Sequence, residues 1–203
     1  MADDKGDLSP VALAKAEALV VRALREAAAA HERMTADAGP VVKAAHAMAA
    51  ALKQGHTVFA FGNGGSAADA QHFTAELVGR YEQKRRGWPA VALSTDSSAL
   101  TAIGNDYGFD RVFARQIEAL GRPGDIALGI STSGNSPNVL RGLEAASANG
   151  LVTIALTGRG GEAGTIAAHH VSVAEDRTPR VQEVHATLLH VMCELMEMEL
   201  ANG

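Results

Sequence analysis

Cysteine is nearly absent: Cys193 is the only one in 203 residues, so no disulfide can close within the chain. Aromatic residues make up 4% of the sequence against 47% hydrophobic residues overall. The core must therefore be filled mainly by Ala, Val and Leu, a composition suited to close helix packing. No apolar run approaches the roughly 20 residues of a membrane span. The N-terminal MADDKGDLSP is acidic and lacks the apolar core of a signal peptide, so the cytoplasm is the expected location. Nor is there an excess of positive charge. Lys and Arg number 18 against 23 Asp and Glu, a net −5 with His neutral, so nothing in the global charge points to nucleic acid or an anionic membrane. A phosphorylated ligand would have to be held locally. Tandem repeats, low-complexity segments and linkers are also missing, and residues 1–203 read as one domain, with N-terminal helices over 1–55 and an α/β core with a C-terminal helix over 56–203.

What is present centres on Val58 to Arg80, VFAFGNGGSAADAQHFTAELVGR. The apolar run Val58–Phe61, halted by glycine, predicts a buried strand, and Ala67–Leu77 has the composition of a helix. The polar loop Gly62-Asn63-Gly64-Gly65-Ser66 thus joins the end of a strand to the start of a helix, where free N–H groups and the helix dipole favour an anion. His72 and Glu76 are four residues apart, on one helix face about 6 Å along the axis.

The pattern repeats. Val91–Leu93 ends in Ser94-Thr95-Asp96, Ile126–Ile130 in Ser131-Thr132-Ser133-Gly134, and Val152–Leu156 in Thr157-Gly158; His169–Val173 predicts a fifth strand. Between them lie helical stretches, Ser97–Gly104, Phe109–Leu120, Ser136–Ala148 and about Glu162–Ala168. Such alternation predicts a parallel sheet with helices on both faces, with ligands beyond the carboxyl ends of its strands. Two helices precede the sheet. Met1–Ser9 reads as a frayed tail, Ser9-Pro10 as a cap, Val11 to about Met34 as an alanine-rich helix with Leu13, Leu19, Val20, Val21 and Leu24 on an apolar face, and Pro40 to about Leu52 as a second. The last helix, about Arg180–Leu200, is apolar nearly all round, which predicts burial at an interface or deep in the core.

GNGGS alone is a weak signal, since a tight turn needs the same glycines. It has neither the G-x-G-x-x-G spacing of a dinucleotide site nor the Gly-Lys-Ser/Thr of a Walker loop. STSGNS is more telling: Ser131, Thr132, Ser133, Asn135 and Ser136 crowd hydroxyls and an amide before another helix, and capping by Ser136 explains only one of them. His72 alone reads as a packed or surface histidine and Glu76 alone as an exposed charge; paired beside an anion loop they are less bland. The last helix adds Gln182, Glu183, His185 and His190 to an apolar element, and burying such groups unpartnered costs on the order of 1–3 kcal/mol each. His, Glu and Gln together are donors for a divalent metal, with zinc favoured by imidazole, although the spacing matches no short metal motif. Gln182 and His190 lie about 12 Å apart along one helix. A shared ion would need both side chains extended toward it, or donors from different subunits.

GNGGSAADAQHFTAELVGR, GNDYGFD, GISTSGNS and RVQEVHATLLH, in that order, resemble the phosphoheptose isomerases of the sugar isomerase (SIS) domain superfamily, over nearly the whole chain. The resemblance implies a three-layer α/β sandwich with a five-stranded parallel sheet, Rossmann-like but without a dinucleotide motif, and interconversion of sedoheptulose 7-phosphate with glycero-manno-heptose 7-phosphate in heptose biosynthesis. It implies one zinc ion per subunit held by His72, Glu76, Gln182 and His190, with Glu76 and His190 also handling protons. Substrate contacts would come from Asn63, Gly64, Gly65, Glu76, Asn105, Asp106, Ser131, Thr132, Ser133, Ser136 and Gln182, with Arg80 a further candidate. The segment Arg177-Thr178-Pro179 departs from members with an acidic residue near Pro179, and no contact is carried over from it. A homotetramer is implied, with the N-terminal and last helices in a shared core and active sites near subunit boundaries.

The rival reading is a non-catalytic SIS-domain binding protein, such as the paralogue that associates with the bacterial replication initiator or the sugar-phosphate-sensing domains. That paralogue lacks the acid at the Glu76 position and the imidazole at the His190 position. Both are present here, so the sequence favours an enzyme.

Overall fold

A computed structural model of the chain describes residues 9–200; all but Ser9 of the tail expected over Met1–Ser9 lies outside the described residues. Ser9 caps α1 (Pro10–Met34), its Oγ accepting from the Ala12 N–H at 3.3 Å, and α2 (Gly39–Lys53) follows. The α/β part then runs β1 (Val58–Gly62), α3 (Gly65–Val78), β2 (Ala90–Ala92), α4 (Ser97–Tyr107), a 3-10 turn (Phe109–Arg111), α5 (Ala114–Leu120), β3 (Ile126–Ser131), α6 (Pro137–Ala148), β4 (Val152–Thr157), α7 (Ala163–Ile166), β5 (His169–Ser172) and α8 (Thr178–Leu200). Among the described residues no helix is long and apolar enough to cross a membrane.

The five strands form one parallel sheet in the order β2-β1-β3-β4-β5. Strand alternation divides the core in two. Val58, Ala60, Ile126, Leu128, Ile130, Ile154 and Leu156 face α2, α3 and α8, whereas Phe59, Phe61, Ala127 and Ala155 face α5, α6 and α7. The expected three-layer α/β architecture is therefore present.

Several boundaries differ from expectation for local reasons. The helix expected over Phe109–Leu120 is a 3-10 turn and a separate α5, because consecutive Val112 and Phe113 both enter the core while Phe109 stays exposed. The strand expected at Val91–Leu93 is Ala90–Ala92, an edge strand three residues long. The helix expected over Glu162–Ala168 is confined to Ala163–Ile166, since the chain must straighten to enter β5. α4 runs on past Gly104 to Tyr107, which puts Asn105 and Asp106 on its last turn. In α1 only Ala30 is buried; Leu13, Leu19, Val20, Val21 and Leu24 face solvent.

Candidate active site

From β1 the chain passes through α3 to β2 on one side, then crosses to β3 on the other, so the order of the strands reverses between β1 and β3. Crevices for ligands open at such a point, outside the carboxyl ends of the strands. The loops flanking it are Asn63-Gly64 after β1 and Thr132–Ser136 after β3, far apart in sequence and adjacent in space. A separate cavity of about 610 Å³, lined by His56, Phe59, Arg122 and Asp125 among others, lies at the opposite end of the strands and holds none of the residues expected in the site.

The first loop is tighter than expected, because α3 begins at Gly65. Gly62 is forced by packing: a Cβ there would stand 2.7 Å from the Ile130 carbonyl and 2.8 Å from the Ser66 Cβ. Gly64 turns at φ 55°, which favours glycine. Gly65 leaves room for Gln182, whose Cδ lies 2.9 Å from where a Cβ would be. Asn63 is fixed by a reciprocal pair of amide hydrogen bonds with buried Asn138, each 2.8 Å, so the first loop is locked to the start of α6 behind the second.

In the second loop the Ser131 hydroxyl lies 3.0 Å from that of Ser136 and 3.4 Å from that of Ser133. Ser136 therefore does not cap α6 with its side chain; its hydroxyl turns into the loop. The Ser133 Oγ accepts from the Asn135 N–H at 3.1 Å. Bonds from the Gly158 N–H to the Thr132 carbonyl, the Ala163 N–H to the Gly134 carbonyl and the Glu162 N–H to the Asn135 Oδ1 brace this loop against the next.

α3 and α8 bring the remaining groups together. His72 Nε2 lies 2.7 Å from His190 Nε2 and 3.8 Å from the Glu76 carboxylate, and the two rings meet edge to face. Gln182 does not join them, since its amide lies over Gly65, eight residues before His190 on α8. Asn105 and Asp106 are exposed and hydrogen-bond each other at 2.7 Å, and Arg80 donates to the Glu82 carbonyl at 3.2 Å; none of the three bonds to the loops or to the imidazole pair. Among the described residues no three His, Cys, Asp or Glu side chains are already gathered as a metal site. The imidazole pair nevertheless has suitable chemistry, two ring nitrogens aimed at one point beside a carboxylate. Two imidazoles on one tetrahedral zinc stand about 3.3 Å apart, so the pair would have to open by roughly 0.6 Å.

The sequence reading missed Asp69, one turn before His72 on α3. Its Oδ2 is buried without a hydrogen-bond partner, and burial pushes its carboxyl up, against the lowering effect of His72. Its place three residues before His72 was the available signal. Tyr81, stacked on His190, and Glu197, buried on α8, were also missed. A lone acid on an apolar helix face marks Glu197. His185 is fully buried, its Nε2 3.0 Å from the Thr157 carbonyl, and burial pulls it down to about 4 despite that bond, so it is neutral. It fixes α8 to the end of β4.

A family model for the SIS domain matches residues 23–158. A phosphoheptose isomerase from Solidesulfovibrio magneticus is 54% identical over 180 residues, 88% of this chain and 88% of that protein. The chain belongs to the phosphoheptose isomerase family. It is thus an enzyme, an aldose–ketose isomerase. The phosphoheptose isomerase from Aquifex aeolicus is 58% identical over 158 residues, 77% of this chain and 83% of its own. The solved phosphoheptose isomerase from Neisseria gonorrhoeae superposes with a TM-score of 0.82 at 46% identity, covering 90% of this chain and 98% of that one.

Proposed function

We propose that the protein interconverts sedoheptulose 7-phosphate and glycero-manno-heptose 7-phosphate, supplying heptose biosynthesis in the cytoplasm. The observation that carries this reading is the meeting of His190 with His72 and Glu76, on helices whose residues Gly65 and Gln182 reach the polar loop after β1 at the sheet's switch point. The relatives' shared name gives the substrate class.

In the forward direction the phosphate rests on Ser131, Thr132, Ser133 and Ser136, whose hydroxyls and helix-end amides bind it with no Lys or Arg in the loop. Asn63, Gly64, Gly65 and Gln182 line the sugar's approach, while Asn105 and Asp106, which within one copy hydrogen-bond each other rather than the loops, serve a neighbouring copy's site. Glu76 removes a proton from C1, giving an enediol, and a proton is returned at C2; His190 delivers one to O2 as another leaves O1, so no proton is gained or lost overall. One zinc ion per subunit would be held by His72, Glu76 and His190, with Gln182 extended along α8 to complete the set. Bound there, it supplies a Lewis acid for the carbonyl oxygen.

His72 is 49% exposed in the protomer, an open setting for proton chemistry that gains from excluding water. A homotetramer, closed by the unpartnered face of α1, would cover it. Product analysis after incubating the purified protein with sedoheptulose 7-phosphate tests the reading. An aldose phosphate is expected; unaltered substrate, together with capture of the replication initiator, would favour the binding-module alternative.

A further inference from the structure

His190 is oriented by unusually little. Its Nε2 meets His72, but its other ring nitrogen makes no hydrogen bond among the described residues, where imidazoles on metals almost always have a carbonyl or carboxylate. The face of its ring is covered instead by Tyr81, with centroids 5.6 Å apart and planes inclined by 26°, within the range of offset stacking. The Tyr81 hydroxyl has no hydrogen-bond partner among the described residues, so the ring makes the contact.

Tyr81 lies in the irregular segment between α3 and β2, yet its backbone is anchored. Glu197 is 2% exposed on α8, seven residues, or two turns, beyond His190 and so on the same side of the helix. Its carboxylate accepts from the N–H groups of Tyr81 at 3.2 Å, Glu82 at 3.1 Å and Gln83 at 2.9 Å, and from Arg85 Nε at 2.9 Å. Arg85 lies over the Trp88 ring and donates to the carbonyls of Glu76 and Leu77 at the end of α3. One buried ion pair thus ties together the segment bearing Tyr81 and the two helices bearing His72, Glu76 and His190.

We propose that Tyr81 is a positioning residue: stacked on His190 and held by Glu197, its ring sets the orientation of that imidazole toward zinc and substrate. This rests on the role given to His190 above. Wild type, Tyr81→Phe, Tyr81→Ala, Tyr81→Leu and His190→Gln would be compared for kcat and KM with sedoheptulose 7-phosphate, for zinc affinity by chelator competition without substrate, and for melting temperature. Tyr81→Phe should stay within about twofold of wild type, whereas Tyr81→Ala should lose about tenfold in kcat and in zinc affinity, with KM changed by less than about threefold. Tyr81→Leu keeps most of the volume without the ring and should behave like Tyr81→Ala, which holds the test open if the alanine variant unfolds. Wild-type kcat and zinc affinity in the folded leucine variant would overturn the proposal while a dead His190→Gln left the catalytic reading standing. Full turnover in His190→Gln would overturn both.

Discussion

Two buried residues on α8 tie stability to acidity in the same direction. His185 is held at about 4 against an ordinary 6.5, so the unfolded chain binds a proton that the folded chain refuses. Its contribution is present above pH 6.5 and fades as pH falls toward 4, on the order of 3 kcal/mol in full. At Glu197 burial alone would raise the carboxyl, but the N–H groups of Gln83, Glu82, Arg85 and Tyr81 outweigh it and leave it lowered from 4.5, so its stabilisation is lost below that pH. Melting temperature should accordingly decline from pH 6.5 downward, and a folded His185→Gln variant should lose the slope between 6.5 and 4. A slope unchanged in that variant would assign the decline to other groups. Glu197→Ala should cost about 3–5 kcal/mol in urea unfolding, since it strands Arg85 against the ends of two helices. A loss below about 1 kcal/mol would mean that water replaces the carboxylate at little cost.

Among the elements, the two site loops were legible from sequence because each follows an apolar strand and opens a helix, a combination that local composition reveals. Their adjacency was not, since it depends on β1 and β3 pairing across 68 residues and on the order reversing between them. His72 and Glu76 were readable as one face of α3. Their meeting with His190 follows from how α3 and α8 pack, which no local spacing encodes, and the resemblance supplied it. The break before α5 escaped because Val112 and Phe113 obey the core rather than helical periodicity. Tyr81 escaped because a segment without periodicity carries no pattern, even when a buried charge fixes it; Glu197 was marked as an acid on the apolar face of α8, but its partners lie in that segment. For the second loop, Ser131→Ala with Ser133→Ala should raise KM for the sugar phosphate about tenfold or more, with a melting temperature within a few degrees of wild type, as hydroxyl bonds to a charged group are worth about 1.5–3 kcal/mol each. An unchanged KM would remove the loop from phosphate binding.

At the scale of the whole molecule, α1 leaves Leu24 67% exposed, Val20 57% and Leu19 54%, on a helix tied to α8 and the segment before it by polar contacts such as Arg33 with Glu175 and His31 with Thr187. Light scattering should report a tetramer at micromolar concentration, and Val20→Asp with Leu24→Asp should dissociate it and reduce turnover by opening the site to water; a monomeric, fully active wild type would refute this. The central claim is that Glu76 takes the proton from C1 and His190 delivers one to O2 of a phosphorylated heptose. It is tested most directly by proton NMR of sedoheptulose 7-phosphate with the purified protein in deuterated water. Wild type should form the aldose phosphate with solvent deuterium at C2, while folded Glu76→Gln and His190→Gln should each be slower by at least about a hundredfold. Conversion at the wild-type rate by either folded variant, or no conversion and no deuterium uptake with wild type, would contradict the account.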